Sequence, residues 1–477
     1  MEINIKNTDN LVSGAYILNN GKLPFTPFKE CSNIFLTQEN STILKSEILK
    51  LITESEEVLK ICSFIITDRE IFEAILDKAL SSNTAIFVLT QLDQRKLLNS
   101  DLLTEEEIKE NTNQLHLNYI TKLFDNGVHV RASHSAHAKF IIADRKKGFL
   151  TSANFTTPSL ILNTESGVYL DKESSSELDK LFDVIFQRGT GYRQFIISSK
   201  KNKMFIVQSE VKIDKSVLPD PSKSNLKYTY ENETNNLYDS IIDIINNATE
   251  YLFLSTYSIV KLAALREFTS AITNANNRGV KIKLFCRGMN YRTDHLVGSD
   301  TLLSHGCEIF ADIFNHSKGI ISEKSGLIFT ANLDGNHGLK NGFEVGYVLN
   351  ELQRLEFLKI NKHLIETGYY IFRNKPSRME LFQTYQTYEK TKGINSPLFP
   401  NDLILLFKES LDANKKELCE QPLFYGKSKG GEFIIVGKSY YKCKSRDNIF
   451  DVSAKVDPRF DIERYILKFQ NLKIIFN

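Results

Sequence analysis

The chain has 477 residues, 60 Lys and Arg against 58 Asp and Glu, a formal net charge of +2, and a hydrophobic fraction of 42%. That length exceeds what one ordinary core fills, so two or three domains are expected. The near-even charge excludes a histone-like or polybasic protein while leaving room for a locally basic groove.

Six cysteines (Cys31, Cys62, Cys286, Cys307, Cys419, Cys443) are scattered with no C-x-x-C pair, which argues against a zinc ribbon and suits free thiols in a reducing compartment. The polar start MEINIKNTDN lacks the basic and apolar regions of a secretory leader. No apolar run approaches the ~18–20 residues a membrane span needs. A soluble, cytoplasmic chain with no integral membrane segment is expected.

In chain order, SEILKLITESEEVLKICSFII (46–66) places apolar residues at helical spacing and then in a run of strand length. TAIFVLTQLD (84–93) reads as a second strand, and LFDNGVHV (123–130) as a helix end with an Asn-Gly turn. SHSAHAKFIIADRKKGFLTSANFT (133–156) and NTESGVYL (163–170) follow. Residues 191–234 hold a strand-like run, KMFIVQSEVKI, and then a loop rich in Pro, Ser, Lys and Asn. The series then returns: YDSIIDIINNATEYLFLSTYSI (238–259), VKIKLFCRGM (280–289), LLSHGCEIF (302–310), NHSKGIISEKSGLIFTANLD (315–334) and NGFEVGYVL (341–349).

The offsets agree: His137 to His316 is 316 − 137 = 179, and Glu165 to Glu344 is 344 − 165 = 179. A repeated polar constellation at one offset means two copies of one α/β unit. Helices alternating with apolar strands imply a sheet covered on both faces in each copy. The expected organisation is a first lobe with its N-terminal extension over 1–190, a connector over 191–234, a second lobe over 235–373, and an accessory domain over 374–477. The last holds one helical segment, DLILLFKESLDANKKEL (402–418), and short alternating strands, which suits a small α+β domain.

Copy one offers His137, Lys139, Asp144, Ser152, Asn154 and Glu165; copy two offers His316, Lys318, Glu323, Thr330, Asn332 and Glu344. Residues two apart in a strand share a face, so each copy is expected to present an imidazole, an ammonium, a hydroxyl and a carboxamide together. Lysine and asparagine donate to the oxygens of an anion, and histidine serves as nucleophile, base or acid near neutral pH. Two copies facing across a pseudo-twofold supply both halves of a phosphoryl-transfer site. One histidine attacks phosphorus, and the other protonates the leaving oxygen. The glutamates are candidates to hold the distal imidazole nitrogens and fix their tautomers.

At this point the residues resemble a family. H-x-K-x4-D-x6-(G/T)-S-x-N is the HKD motif of the phospholipase D superfamily, and His137, Lys139, Asp144, Ser152 and Asn154 fit it throughout. The second copy departs twice: Glu323 stands for the aspartate, and Thr330-Ala331-Asn332 arrives one residue early. The resemblance covers roughly residues 45–370. It implies two tandem phospholipase D-like α/β/α sandwich units related by pseudo-twofold symmetry, and a phosphodiesterase that needs neither metal nor cofactor and forms a phosphohistidine. It also implies His137 as nucleophile and His316 as acid/base, with the reverse assignment open, and a mainly supporting role for Asp144, Ser152, Glu323 and Thr330.

Three functions are weighed. A nuclease acting on DNA or RNA, defence- or restriction-associated and with a protein partner such as an ATPase, is favoured by Arg287, Arg292 and Lys340 near the motifs as substrate-binding residues. The stretch 427–446, where Lys427, Lys429, Lys438, Lys442, Lys444 and Arg446 alternate with Phe433, Tyr440 and Tyr441, points the same way, although a solvated hairpin explains that stretch at least as well. A phospholipase D or a cardiolipin or phosphatidylserine synthase is the alternative, and an inactive scaffold the third. His134 reads as a loop residue, and His337 as a solvated turn. The sequon at Asn154 is set aside because Asn154 belongs to the motif. The oligomeric state is left open.

Overall fold

The computed structural model describes residues 14–376 except 29–31, 39–40, 92–111, 133–135, 189–192, 199–202, 209–214, 232, 291 and 336. Beyond 376 it describes 380, 383–384, 387–388, 398, 423–428, 431–436, 439–446, 449–456 and 473–475. The chain divides into two compact units, residues 22–287 with 304–368, and residues 1–21 with 288–303 and 369–477.

Strand β1 (Gly14–Leu18) belongs to the smaller unit. The larger unit begins with β2 (Ile34–Thr37), helix Ile43–Glu54, β3 (Val58–Cys62), helix Arg69–Ser81, β4 (Ala85–Thr90), helix Thr112–Asp125 and β5 (His129–Ala132). It continues through β6 (Phe140–Ala143), β7 (Lys147–Thr151), a π-helical turn at Pro158–Leu162, β8 (Glu165–Tyr169) and helix Lys172–Arg188. With β9 (Arg193–Ser198) and β10 (Lys203–Gln208) these strands form a nine-stranded sheet of order β10-β9-β5-β4-β3-β6-β7-β8-β2. β3, β4 and β5 are parallel neighbours, and every other pairing is antiparallel.

The second lobe holds β11 (Leu226–Tyr230), β12 (Thr234–Asn235), helix Asn236–Asn247, β13 (Tyr251–Ser255), β14 (Ile259–Val260), helix Arg266–Asn277 and β15 (Lys281–Arg287). Then come β16 (Glu308–Asp312), β17 (Gly319–Ser322), β18 (Gly326–Phe329), β19 (Leu333–Asp334), β20 (Phe343–Val348) and helix Glu351–Thr367. The order β16-β15-β13-β17-β18-β20-β11 repeats β5-β4-β3-β6-β7-β8-β2 strand for strand, with the same parallel and antiparallel senses. The fold is therefore two tandem α/β units. β11, from the stretch between the copies, stands to β20 as β2 stands to β8. The Asn-Gly and His-Gly turns also correspond: Gly127 and Gly306 both sit at φ near +88°, where a Cβ is disfavoured.

Alternation along the strands explains how the first sheet is covered on both faces. Ile141 and Ala143 of β6 pack with Leu44, Ile48, Ile71 and Ile75 of the two leading helices. Phe140 and Ile142, pointing the other way, pack with Leu178, Phe182 and Ile185 of helix Lys172–Arg188. This second cluster continues into the other lobe through Tyr228, Phe343, Val345, Tyr347, Phe357 and Leu364. The two lobes thus share one hydrophobic core, and the Phe140 and Phe343 rings meet edge-on at 6.2 Å.

In the smaller unit β1 pairs antiparallel with β21 (Tyr370–Asn374). The buried Tyr16 hydroxyl lies 2.9 Å from His295 Nε2 and 2.7 Å from Ser299 Oγ. Further on, β22 (Leu423–Ser428), β23 (Gly431–Val436), β24 (Ser439–Arg446), β25 (Ile449–Val456) and β26 (Lys473–Ile475) form an antiparallel sheet of order β25-β24-β23-β22-β26. The helical segment expected at 402–418 lies outside the described residues.

Candidate active site

The histidine and lysine of each motif do not lie within a strand. Residues 137–139 lead into β6, and residues 316–318 lead into β17. Their backbone is paired instead with the opposite lobe. Ala136 bridges Phe343, whose carbonyl accepts from the N–H of His137 (3.3 Å) and Ala138 (2.9 Å). Asn315 bridges Thr164, whose carbonyl accepts from the His316 N–H at 2.9 Å. Each histidine segment is thus stitched to the stretch that introduces the other lobe's glutamate.

The carboxylates cross over accordingly. His137 Nδ1 lies 2.6 Å from Glu344 Oε1, and His316 Nδ1 lies 2.6 Å from Glu165 Oε1. The second carboxylate oxygen of each glutamate accepts from a hydroxyl of its own lobe, Ser152 for Glu165 and Thr330 for Glu344. Those hydroxyls accept in turn from the Ser166 N–H (3.0 Å) and the Val345 N–H (3.1 Å). Each lysine ammonium folds back to the carbonyl of its own histidine, Lys139 to His137 and Lys318 to His316 (2.7 Å for the latter). Both lysines, both glutamates, Ser152, Thr330 and Asn154 are fully buried, and Asn332 nearly so. With Nδ1 turned to a carboxylate, a neutral imidazole keeps a lone pair on Nε2 and a protonated one carries a proton there.

Residues outside the motifs complete the pattern. The Phe64 ring meets His137 edge-on at 5.5 Å, and the Tyr257 ring meets His316 edge-on at 5.0 Å. Cys62 Sγ donates to the Ala138 carbonyl and Ser255 Oγ to the Ser317 carbonyl. These pairs follow the ends of β3 and β13 at an offset of 257 − 64 = 193, not 179, so the motif offset does not find them. The signal available in the sequence is the shared ICSF and LSTY strand ends. Burial holds the Cys62 thiol well above the ordinary range, so it acts as a packing group.

The two histidine–glutamate pairs differ electrostatically. Burial pushes the His137 imidazole down to about 4 against the pull of Glu344, with Lys139 adding to the drop. Burial acts to raise Glu344, but His137, Lys139 and the Thr330 hydroxyl together hold it below the usual carboxylate range. Glu165 moves the other way: burial raises it to about 7 despite Lys318, Ser152, Ser159 and Lys139. Around pH 6 the first pair is a neutral imidazole beside a carboxylate, whereas the second retains a titratable proton.

Asp144 and Glu323 lie away from this chemistry. Asp144 accepts from the backbone N–H groups of Glu56, Glu57 and Val58 at the entrance to β3. Glu323 does the same for Thr249, Glu250 and Tyr251 before β13. Burial opposes ionisation of Glu323, but these donors prevail and hold it at about 2. Asp144 likewise sits below its ordinary value, its backbone donors outweighing desolvation. Asp144→Ala is expected to cost about 2 kcal/mol of stability, because three donors lose a charged acceptor, with kcat unchanged in the folded fraction. Denaturant melts and single-turnover rates check the two halves of that statement. The loss should shrink as pH falls through the folded-state pKa of Asp144, since protonation removes the same acceptor.

Arg287 is fully buried at the end of β15, its guanidinium 5.6 Å from the Tyr257 ring centre. Lys340 lies 4.6 Å over the Tyr238 ring. Arg292 belongs to the smaller unit and pairs with Asp294 at 3.0 Å. His337 is exposed, and His134 lies outside the described residues. The basic and aromatic residues of 427–446 fall along β22, β23 and β24, with Lys429 and Lys438 outside the described residues. Among the described residues no group of three or more His, Cys, Asp or Glu is gathered as a metal would need, and no helix is long and apolar enough to cross a membrane.

Residues 48–188 match the family model described as "Cardiolipin synthase, PLD-like domain". The chain carries a phospholipase D-like domain. That domain covers the first lobe, and the second lobe repeats its strand order and its polar residues. No curated protein matches the sequence. Among solved structures the chain is similar to a polyphosphate kinase from Porphyromonas gingivalis, with 13% identity and a TM-score of 0.47 over 69% of this chain and 46% of that one. It is also similar to the phosphatidylserine synthase of Haemophilus influenzae Rd KW20, with 11% identity and a TM-score of 0.49 over 80% of this chain and 96% of that one. A third is Nuc, a phospholipase D family member from Salmonella typhimurium, with 17% identity and a TM-score of 0.27 over 30% of this chain and 96% of that one. The chain spans less than half the length of the polyphosphate kinase.

Proposed function

We propose that this protein is a phosphodiesterase that works through a phosphohistidine and takes nucleic acid as its substrate. The observation that carries the reaction is the reciprocal pairing of His137 with Glu344 and of His316 with Glu165. His137, neutral and with Nδ1–H given to Glu344, attacks phosphorus through Nε2. The bond from phosphorus to the leaving oxygen breaks, and that oxygen takes the proton from His316 Nε2. A water then attacks the phosphohistidine and gives its proton to His316, and the P–N bond breaks to restore His137. Lys139, Lys318, Asn154 and Asn332 would balance the charge on the non-bridging oxygens.

Nucleic acid as substrate is supported by Lys442, Lys444 and Arg446 following Tyr440 and Tyr441 along β24, with Phe433 on the neighbouring β23, a composition suited to phosphate contacts and base stacking. A phospholipid substrate is the second reading, favoured by the description of the family model matched by 48–188. Labelled single- and double-stranded DNA, RNA and phospholipid vesicles, each incubated with the protein in EDTA, separate them. Turnover of lipid alone overturns the nucleic-acid reading, and cleavage that needs added metal overturns the phosphohistidine step.

The pH dependence follows from the two pairs. The nucleophile must be neutral, so the rate falls as pH drops through about 4, where His137 protonates. The acid must hold its proton, so the rate falls again as pH rises through about 7, where the Glu165–His316 pair gives it up. A bell with its plateau between those limits is expected for kcat on a diester, and a profile rising monotonically to pH 9 would contradict it.

A further inference from the structure

Between the motif and the glutamate strand the two lobes part company. In the first lobe PSLIL (158–162) forms a π-helical turn, a form that concentrates at functional sites. Its Ser159 is fully buried, its N–H donates to the Thr156 hydroxyl at 3.3 Å, and its side chain is one of the hydrogen-bonding groups that act to lower the Glu165 carboxyl. Ser159 therefore joins Ser152 as a second hydroxyl on the group that holds His316. The matching stretch of the second lobe, LDGNHGLKNGF (333–343), contains neither serine nor threonine. Counting 179 on from Ser159 gives Gly338, where an added Cβ would stand 2.6 Å from the Asn332 carbonyl oxygen. A hydroxyl-bearing side chain cannot enter there without displacing the backbone that carries Asn332.

We propose that Ser159, delivered by the π-helical turn, is a positioning residue that holds the Glu165 carboxylate toward His316. Its kinetic consequence rests on the phosphodiesterase reading; its effect on the Glu165–His316 pair does not. The groups that face Glu165 are Lys318 and Lys139, the hydroxyls of Ser152 and Ser159, and His316 itself. A hydroxyl donated to a carboxylate favours the ionised form, so removing it makes the pair hold its proton to higher pH. The His137–Glu344 pair has no contact with Ser159 among those that shape it.

The test uses the full chain as Ser159→Ala and Ser159→Thr, with Ser159→Cys in reserve should alanine disrupt the turn. Histidine-labelled protein is titrated by NMR, and the pH–rate profile is measured on a diester. In Ser159→Ala the His316 titration and the basic limb are expected to move up together by about 0.5–1 unit. The His137 titration and the acid limb should stay in place, and Ser159→Thr should keep the wild-type values. An unmoved His316 titration in folded Ser159→Ala, or an equal shift at His137, overturns the role. A protein that turns over no substrate counts against the phosphodiesterase reading alone, since the NMR titration still decides what Ser159 does.

Discussion

His137→Ala is expected to lose turnover by on the order of 10⁴-fold or more while remaining folded, since it removes the atom that forms the covalent bond. The fold should survive because the carboxylate left behind keeps company: Glu344 still accepts from Thr330 and stays near Lys139. His316→Ala separates the two steps. With a p-nitrophenyl diester the leaving group needs no proton, so phosphorylation of His137 proceeds, whereas hydrolysis of the intermediate lacks its base. A burst of p-nitrophenolate and an acid-labile, base-stable label on His137 are the expected results. Label recovered on His316 in the His137 variant would reverse the two roles, and near-native turnover by His137→Ala would remove the site from consideration.

The parts of this site that could be read from the sequence are those that depend on a constant spacing. A single offset of 179 joins His137 to His316 and Glu165 to Glu344, because the spacing from histidine to glutamate is the same in both copies, 165 − 137 = 344 − 316 = 28. The strand order follows from the same repetition. The crossing of the glutamates does not, since an offset relates equivalent residues and is silent about which copy's carboxylate meets which imidazole. That choice is made by backbone bridges, Ala136 to Phe343 and Asn315 to Thr164. The same bridges hold 137–139 and 316–318 outside the regular strands that alternation predicts for them. Phe64 and Tyr257 do not share the motif's offset: the connections between β3 and the motif and between β13 and the motif differ in length, so their offset is 193. Ser159 was hidden because its hydroxyl matters only once the π-helical turn faces it inward, and no repeat partner marks it.

The two lobes are equal in plan and unequal in detail. Phe64 stands against Tyr257, Cys62 against Ser255, and a π-helical turn against a glycine-bearing loop. Arg287 and Gln91 are a further unequal pair: the N–H of Arg287 donates to the Tyr257 carbonyl as the N–H of Gln91 donates to that of Phe64. A strictly symmetric site would give its two histidines one affinity for protons, and either could attack. Here burial lowers His137 and raises Glu165, which leaves His137 neutral across the range in which the other pair still carries a proton, the condition for one residue to attack while the other donates.

Glu344→Gln should then be the second most damaging change, at a cost of about 10³–10⁴-fold in kcat with little loss of stability. The substitution keeps shape and hydrogen-bonding capacity. The Gln Oε1 can accept from the Thr330 hydroxyl, which leaves the NH₂ group facing His137 Nδ1. An amide N–H there forces Nδ1 to accept, moves the imidazole proton to Nε2, and removes the lone pair that attacks phosphorus. The damage is thus to a first-lobe nucleophile from a second-lobe residue, and it falls on the first chemical step, so the burst of p-nitrophenolate should disappear. Glu165→Gln should leave the burst and slow the second step instead, letting phosphohistidine accumulate, because Glu165 serves His316. Nitrogen chemical shifts of labelled histidine report the tautomer directly: Nδ1–H in the wild type and Nε2–H for His137 in Glu344→Gln. If the crossing carried no catalytic meaning, the two glutamine variants would fail in the same step, and a burst retained in Glu344→Gln would show that His137 does not depend on the carboxylate 2.6 Å from its ring.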